Sequence, residues 1–520
     1  TGRGENMEVG TYVEAAISSE LSANIIDLCP VGALTSKPYA FEARPWELTK
    51  TESVDVMDAV GSNIRVDSRG REVMRVLPML NEDVNEEWIS DKTRYACDGL
   101  ARQRLDKPYV KVDGKLKPAS WHDAFDAIGG RVRGLDGARI AAIAGDMCDA
   151  EAMTALKDLM AALGSPNIDC RQDGAKLDSG SRAGYTFNTT IAGIEDADAC
   201  LIIGSNPRLE APIINARLRK RALAGGFRVG LVGEAADLTY RHEHLGAGPQ
   251  TLKEIADGTH PFCEVLKSAE RPMLIVGQGA LSRADGAAVL ATARSIADAT
   301  GMVSGDWNGF NVLHTAAARV GGLDLGLVPG NGGRDVQGIL DGAASGDIEV
   351  VYLLAADEID TSKLGNAFVI YQGHHGDAGA HVADVILPGA AYTEKEGTYV
   401  NTEGRVQRGR RATFPPGDAR EDWSIIRALS EVLGKTLPYN NLGQVRTRMA
   451  EIAPVLDRID VVDPAAWDGF GAAGPMDDDA FKAPIVNFYM TDPISRASAT
   501  MAACTETFVN AGTEKTGTDG

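Results

Sequence analysis

Short apolar runs alternate with amphipathic segments through the middle of the chain. The runs carry no regular polar positions, which indicates strands buried on both faces, as in parallel sheets covered by helices. The predicted strands are 138–144, 200–203, 229–232, 272–276 and 350–355, and the predicted helices are 149–163, 213–223, 287–299 and 423–433. This alternation predicts an α/β fold with two doubly wound parallel-sheet units between about Trp121 and Pro388, the second series of strands opening at Pro272.

The first hundred residues show a different pattern. Apolar residues of the segment 21–28 recur at roughly helical spacing, and Pro30 ends that segment. The predicted strands 63–66 and 73–76 then flank a turn that contains Gly70. This pattern predicts a hairpin within a small, mainly β module.

Composition excludes several classes of protein. The 520 residues are 44% hydrophobic and 24% charged, which is typical of a globular protein. The net charge of -21 argues against general nucleic-acid binding, because phosphate contacts need clustered Lys and Arg. Seven cysteines without a C-x-x-C pair predict neither a disulfide framework nor a zinc ribbon. No apolar stretch is long enough to span a bilayer, and because the chain begins at Thr1 we expect an N-terminal piece to precede it.

Cys29 is the thiol whose setting most suggests chemistry. A cysteine followed at once by proline is how the last ligand of a bacterial ferredoxin run appears, after three cysteines spaced C-x-x-C-x-x-C. The dipeptide Cys29-Pro30 also fits a buried small side chain before a turn, since free cysteine is among the most buried residue types. Spacing alone leaves both interpretations open.

Glycine-rich and basic stretches favour structural roles. Gly277-Gln-Gly279 follows a predicted strand, but Ser282 stands where a dinucleotide fingerprint needs its third glycine, so we expect these glycines to allow close packing. The loop 330–333 has the same ambiguity. The basic run 217–221 is expected to complement the carboxyl end of its helix rather than to bind an anionic partner.

Histidines give no metal-ligand pattern. The residues concerned are His242, His244, His374, His375 and His381. The first two have no third ligand nearby in sequence. The last three share a loop, match no known ligand spacing, and are expected to form hydrogen bonds within that loop.

Six stretches carry a resemblance to a known family. They are Cys29–Phe41 (CPVGALTSKPYAF), Lys50–Ile64 (KTESVDVMDAVGSNI), Asn85–Arg94 (NEEWISDKTR), Gly204–Arg208 (GSNPR), Ala383–Pro388 (ADVILP) and Glu394–Arg405 (EKEGTYVNTEGR). Together they resemble the large iron–sulfur subunit of proton-pumping NADH:quinone oxidoreductase, respiratory complex I. The later part of the chain is also similar to the wider molybdopterin oxidoreductase superfamily.

The resemblance implies an electron-transfer subunit with no independent active site and no catalytic residue of its own. At the position of Cys29 the family has the fourth thiolate ligand of a 4Fe–4S cluster, and the other three come from a C-x-x-C-x-x-C run that would precede Thr1. A 2Fe–2S domain and a second 4Fe–4S site would also precede Thr1. The implied partners are other peripheral-arm subunits, including the flavin- and NADH-binding subunit and the quinone-proximal iron–sulfur subunits.

The same resemblance implies that another cluster site is lost. Molybdopterin enzymes hold a 4Fe–4S cluster in their β module through a C-x-x-C-x-x-x-C run and a later cysteine. Asp55, Asp58, Ser62 and Ser90 stand at these four positions, and because iron–sulfur clusters need soft thiolates, we expect no cluster there. Cys97 lies too far along the chain to substitute. No metal-ligating residue for a pterin can be placed, so no molybdopterin is expected.

The chain is expected to divide into four regions. Residues 1–41 are the remainder of a ferredoxin-like iron–sulfur domain, and 42–105 form the small β module with its cluster ligands lost. Residues 106–435 form the molybdopterin-oxidoreductase-like α/β domains, and 436–520 are a C-terminal extension whose last residues, 511–520, are a disordered tail.

Two other functions stay open from the sequence. One is a molybdenum- or tungsten-pterin oxidoreductase such as a formate dehydrogenase, and the other is a scaffold subunit without a redox centre. The resemblance implies a peripheral location on the cytoplasmic side of a bacterial inner membrane, with the matrix side of the mitochondrial inner membrane as the alternative.

Overall fold

The computed structural model describes residues 2–7 and 17–510, so the predicted tail 511–520 lies outside the described residues. The strands are β1 (Thr49–Val54), β2 (Asn63–Arg69), β3 (Glu72–Pro78), β4 (Tyr109–Val112), β5 (Lys115–Pro118), β6 (Ile140–Ala144), β7 (Asn167–Asp169), β8 (Ala199–Ile203), β9 (Arg228–Val232), β10 (Glu243–Gly246), β11 (Pro272–Val276), β12 (Val303–Ser304), β13 (Trp307–Asn308), β14 (Phe310–Val312), β15 (Val350–Leu354), β16 (Phe368–Gly373), β17 (Val385–Pro388), β18 (Gly397–Val400) and β19 (Val406–Gly409). The α-helices are α1 (Asn24–Leu28), α2 (Asp91–Tyr95), α3 (Trp121–Val132), α4 (Ala150–Leu163), α5 (Pro207–Glu210), α6 (Pro212–Leu223), α7 (Pro249–Ala256), α8 (Phe262–Ser268), α9 (Gln278–Leu281), α10 (Gly286–Thr300), α11 (Arg319–Asp324), α12 (Val336–Ser345), α13 (Ala378–Val382), α14 (Asp422–Val432), α15 (Leu442–Ile452), α16 (Pro493–Ala497) and α17 (Ala499–Thr505).

The small β module is a three-stranded antiparallel sheet in the order β1-β2-β3. Its hairpin is confirmed, but β2 and β3 extend further toward the turn than predicted, so that only Gly70 and Arg71 separate them. Gly70 has a φ of +65°, a conformation that glycine adopts without the steric cost other residues meet. The inward residues Ile64, Val66 and Val76 form the core of the module.

The first α/β unit is a seven-stranded sheet in the order β5-β4-β17-β16-β15-β6-β7. The five strands from β17 to β7 run parallel, and β4 and β5 add an antiparallel edge. Every residue of β6 and of β15 is buried. The expectation that uninterrupted apolar runs form parallel strands covered on both faces is therefore confirmed.

The second α/β unit is a five-stranded parallel sheet in the order β10-β9-β8-β11-β14. It does not begin at Pro272, as the sequence had suggested. Leu274 of β11 pairs with Leu201 of β8, so both strands lie in one sheet. This whole sheet is inserted in the chain between β7 and β15. The correction concerns strand pairing, which an apolar run does not encode because it reports burial only.

Helix boundaries follow their capping residues. Asp149 caps α4 by accepting a hydrogen bond from the amide of Ala152, and Gly164 ends it with a φ of +75°. The helices α6, α10 and α14 lie within one or two residues of the predicted bounds. The exception is α1, which is a single turn because residues 20–23 form turns instead of helix.

Each parallel sheet has one point where successive connections leave in opposite directions. In the seven-stranded sheet this point lies between β6 and β15, and in the five-stranded sheet it lies between β8 and β11. The crevice beyond the carboxyl ends of such strands is where open α/β sheets bind ligands. These two crevices are therefore the candidate ligand-binding sites of the two sheets.

The C-terminal part returns to the body of the molecule. Helix α15 packs on α4, and the next segment, 458–492, carries no helix or strand. Phe470 and Phe481 of this segment are nevertheless buried in the main core. Across the described ranges, no helix combines the length and apolar character needed to cross a bilayer.

Candidate functional site

Cys29 lies directly after α1, where the main chain becomes extended and Pro30 follows. The thiol is partly exposed. Backbone N–H groups of the following loop, first that of Leu34 and then that of Val31, hold the pKa of Cys29 below its ordinary value of 9.0. Since the thiolate is the form that binds metals, this loop favours the ligand state of Cys29.

Hydrogen bonds to the β module fix the position of α1. The Asn24 side chain donates to the carbonyl of Ile89 at 2.8 Å and accepts from its amide at 3.2 Å. The Asp91 carboxylate accepts from the amide of Ala23 at 2.9 Å and from the Ser22 hydroxyl at 2.6 Å. The single turn that leads to Cys29 is thus attached to the β module at its N-terminal residues.

Arg94 makes the second attachment. Its side chain is 4% exposed and its guanidinium donates to the Asp27 carboxylate at 2.5 Å and to the Asn24 side chain at 3.2 Å. Sequence reasoning did not assign Asp91 and Arg94 this role. The available signal was that both lie in the stretch NEEWISDKTR that carried the family resemblance.

The four positions at which the resemblance implies a lost cluster are all buried in the β module. Asp55, Asp58, Ser62 and Ser90 are each 3% exposed or less. The amide of Asp55 donates to the carbonyl of Ser62 at 2.9 Å. The Thr93 hydroxyl donates to the Asp55 carboxylate at 2.9 Å and lies 2.8 Å from the Ser90 hydroxyl. The Asp58 carboxylate accepts from the amide of Val60 at 2.9 Å. No thiolate is among these groups, so the residues present do not fit an iron–sulfur cluster.

Charge in this pocket is only partly balanced. Burial and the nearby Asp58 carboxylate raise the pKa of Asp55 to about 8, and burial also raises the pKa of Asp58. Lys92, 1% exposed, opposes both shifts, and its ammonium group donates to the Thr491 hydroxyl at 2.7 Å and lies 5.2 Å from the centre of the Phe488 ring. The pocket therefore holds two buried carboxyl groups with a buried lysine nearby.

Cys97 does not join this pocket. Its thiol donates to the carbonyl of Arg94 at 3.6 Å, and burial raises the pKa of Cys97 to about 12. It lines a cavity of about 1150 Å³ between the α1 segment and β3, which also includes Tyr39 and Arg75. A thiol held protonated in this way is a poor ligand.

Ion pairs fill the carboxyl end of the seven-stranded sheet. Arg319, 1% exposed, lies 3.0 Å from the Asp173 carboxylate after β7 and 3.8 Å from that of Asp146 after β6. This guanidinium lies at the carboxyl ends of β6 and β7, on one side of the crevice between β6 and β15. The Asp146 Oδ1, Gln172 Oε1 and Arg319 Nε atoms at this end have no hydrogen-bond partner among the described residues, so the absence of a pterin stays a prediction.

The remaining candidates have structural roles. His374 and His375 contact each other through their Nδ1 atoms at 2.5 Å, as expected for hydrogen bonding within the loop, whereas His375 also bonds the carbonyl of Gly99, outside that loop, at 2.9 Å. Within the described ranges, no group of three or more His, Cys, Asp or Glu side chains could hold a metal ion. A Cβ at Gly277 would lie 2.4 Å from the Cβ of Ser205, so close packing explains that glycine.

The basic run differs from expectation in part. Arg221 does donate to the carbonyl of Gly225 beyond the end of α6, at 2.7 Å. Arg217, however, is buried and pairs with Glu195 at 2.5 Å, and Lys220 pairs with Glu86 at 2.5 Å. These two residues join α6 to neighbouring loops instead of complementing the helix end.

Four family models match the chain. The molybdopterin oxidoreductase model matches residues 104–432, and the NADH-ubiquinone oxidoreductase NDSU1/NuoG-like 4Fe-4S domain matches 48–98. A model of the C-terminal region of the same NADH-ubiquinone oxidoreductase subunit matches 462–504. A ferredoxin-like domain of NADH-quinone oxidoreductase matches 1–35.

Among solved structures, acetylene hydratase from Pelobacter acetylenicus superposes with a TM-score of 0.56, at 13% identity, over 79% of this chain and 72% of that chain. Identity this low supports the fold alone. With the matching molybdopterin model, it defines the class: a protein with the molybdopterin-oxidoreductase fold.

Sequence relatives give the particular family. The chain is 51% identical over 508 residues to the mitochondrial NADH dehydrogenase [ubiquinone] iron-sulfur protein 1 of Solanum tuberosum, covering 97% of this chain and 68% of that protein. It is 46% identical to the NADH-ubiquinone oxidoreductase 75 kDa subunit of Reclinomonas americana, covering 98% and 75%, and 47% identical to the corresponding NADH-quinone oxidoreductase subunit of Rickettsia bellii, covering 97% and 72%. The chain belongs to this family, the 75 kDa (NuoG-like) iron–sulfur subunits of complex I.

Proposed function

We propose that Cys29 supplies one thiolate ligand to a 4Fe–4S cluster in the electron path of complex I. The chain is an electron-transfer subunit of that complex, as its relatives and its iron–sulfur domain models indicate. The observation that carries the proposal is the partly exposed thiol of Cys29, whose pKa is lowered by the N–H groups of residues 31–34. When bound, a 4Fe–4S cluster accepts and passes on single electrons.

The chain contributes the ligand and its surroundings. N–H groups directed at the sulfur stabilise negative charge there, which favours thiolate and influences the reduction potential of a bound cluster. The attachments of α1 to Asp91 and Arg94 hold the sulfur in place relative to the β module. Leu28 and Val31, 58% and 80% exposed, flank Cys29 and give the site an apolar rim.

We also propose where the other parts of the site originate. The remaining three thiolates would come from a C-x-x-C-x-x-C run before Thr1, and residues 1–41 would be the end of that iron–sulfur domain. Further 4Fe–4S and 2Fe–2S clusters would lie in the same upstream part. The match of residues 1–35 to a ferredoxin-like domain supports this division, as does the change of architecture at the start of β1.

We also propose particular partners and a location. The chain is a complex I subunit, and we propose that it contacts the flavin- and NADH-binding subunit and the quinone-proximal iron–sulfur subunits. We place it on the cytoplasmic side of a bacterial inner membrane, with the mitochondrial matrix side as the alternative. Its relatives include both a bacterial and several mitochondrial proteins.

Cysteine replacement in the intact complex tests the ligand. In Cys29→Ser we expect loss of one reduced-cluster signal in electron paramagnetic resonance, and a decrease of about four iron atoms per complex, since one 4Fe–4S centre needs all its thiolates. Cys504→Ser is the matched control, because Cys504 is also a partly exposed free thiol but lies on α17. An unchanged signal and iron content in Cys29→Ser would exclude the proposed role.

A further inference from the structure

The two crevices beyond the parallel sheets are occupied by one segment of this chain. Open α/β sheets bind ligands at the carboxyl ends of strands on either side of the point where connections reverse. Here those points lie between β8 and β11 and between β6 and β15. Residues 477–498 run across the strand ends beside both points, through contacts that differ at each.

At the five-stranded sheet the segment is held by hydrogen bonds between main-chain groups. The amide of Glu234, after β9, donates to the carbonyl of Phe481 at 3.1 Å, and the amide of Phe481 donates to the carbonyl of Ala247, after β10, at 2.9 Å. A Cβ at Gly279, after β11, would lie 1.9 Å from the carbonyl oxygen of Lys482. The glycine loop that could receive a ligand is thus in direct contact with main chain.

Phe481 anchors this contact. The side chain is fully buried, in the main hydrophobic core. Arg283 lies 5.4 Å from the centre of the Phe481 ring and donates to the carbonyl of Asp479 at 2.8 Å. Arg283 is itself held by Asp285 at 2.8 Å, and Asp285 accepts from the amide of Asp477 at 2.7 Å. Aromatic burial and a bound arginine together hold the segment at the crevice.

At the seven-stranded sheet the contact is ionic. Arg496 on α16 donates to the Glu358 carboxylate after β15 at 2.6 Å and to the Asp377 carboxylate after β16 at 2.6 Å. Gln172, after β7, donates to the other oxygen of Glu358 at 2.8 Å. The carboxylates around this end outnumber the arginines, so Arg496 supplies charge that the crevice needs.

We infer that residues 477–498 form a C-terminal plug that takes the place of a bound ligand in both crevices. Phe481 fills the end of one sheet with an apolar group, and Arg496 neutralises the end of the other. The plug thereby closes the two ligand-binding ends of a molybdopterin-oxidoreductase fold and joins its two sheets.

Hydrogen–deuterium exchange in the purified complex tests the plug. In Phe481→Ala we expect at least tenfold faster exchange in peptides that contain Glu234 and in those that contain residues 277–282, which are α9 and its two caps. In Arg496→Gln we expect the same for peptides covering 355–360 and 374–379. Controls are Phe414→Ala and Arg411→Gln, an exposed aromatic residue and an exposed arginine outside the plug, which should leave these peptides unchanged.

The exchange patterns distinguish a segment that closes the crevices from one that only lies on the surface. If exchange rises only within 477–498 and the strand-end peptides keep their protection, the segment does not close the crevices and the inference is wrong. If Phe481→Ala fails to assemble, Phe481→Leu gives the same test, because leucine fills less of the space while keeping an apolar side chain. Arg496→Lys should restore much of the protection lost in Arg496→Gln if charge is what Arg496 contributes.

Discussion

Two regions adjoin the same short helix, α2, and their environments are opposite. Cys29 follows α1 in a partly exposed loop, whereas Asp55 lies in a pocket with Asp58, Ser62 and Ser90, all of them buried. The segment that leads to Cys29 and the Asp55 pocket both contact residues of α2 or its N-cap. Asp91 and Arg94 hold α1, while Ser90 and Thr93 face Asp55. Residues three apart lie on one side of a helix, so a single turn serves both positions.

The comparison shows how one short helix can adjoin two regions that favour different charge states. Around Cys29, backbone N–H groups lower the pKa of the thiol and favour a charged ligand. Around Asp55, burial and a neighbouring carboxylate raise the pKa and favour a neutral side chain. The pocket around Asp55 therefore contains oxygen-bearing side chains and one lysine, and residues of α2 contact both this pocket and α1.

Replacement of Lys92 in the Asp55 pocket should lower the free energy of unfolding more than the other changes considered. In Lys92→Met we expect a loss of about 3 kcal/mol in the free energy of unfolding, because the buried ammonium group loses its charged hydrogen bond to Thr491. The value lies at the upper end for a charged hydrogen bond, since the change also removes the positive charge that lowers the pKa of Asp55 and Asp58. The midpoint of urea unfolding measures it, with Lys115→Met as an exposed control. A change as small as the control's would show that Lys92 does not stabilise the pocket.

Arg94→Ala should lower the free energy of unfolding less than Lys92→Met, but it should also change the environment of Cys29. Loss of its charged hydrogen bonds to Asp27 and Asn24 removes about 2 kcal/mol and releases α1 from the β module. We expect a weaker reduced-cluster signal for the centre assigned to Cys29 and unchanged signals elsewhere. Arg65→Ala is the matched control, because Arg65 pairs with Asp67 at 2.8 Å within the β module. Equal losses of signal in both variants would contradict a specific link between α2 and Cys29.

The sequence predicted strands and helices better than it predicted their connections. The apolar runs at 140–144 and 350–354 were identified correctly because burial on both faces leaves a local signature. The pairing of Leu274 with Leu201 left none, since those residues are 73 positions apart. The insertion of one sheet into another could not be seen for the same reason.

The candidate site shows the same limit. The family resemblance supplied Cys29 and the four vacant positions, and the structure brings the vacant four together. The attachment of Ala23 by Asp91 spans 68 positions, and no local pattern reports it. Phe481 and Arg496 lie in or just after a segment without regular secondary structure, so neither stood out before the fold was known.

The smallest expected effect is on how the free energy of unfolding depends on pH through Asp55. The pKa of Asp55 is about 8 in the folded protein against an ordinary 3.8, so between these values the folded state holds a proton that the unfolded chain has released. Wild-type stability therefore falls as pH rises through this interval. Asparagine cannot ionise and can still accept a hydrogen bond from Thr93.

We therefore expect the stability of Asp55→Asn, relative to wild type, to increase by about 1 kcal/mol between about pH 6.5 and 7.5, since one unit of pKa corresponds to about 1.4 kcal/mol. Urea unfolding at each pH measures this difference. Asp113→Asn, at an exposed carboxylate, should give a difference that does not change over this range. If the Asp55→Asn difference is also constant, Asp55 is ionised throughout the range, and the contrast with Cys29 rests on the identity of the ligands and not on which groups carry charge.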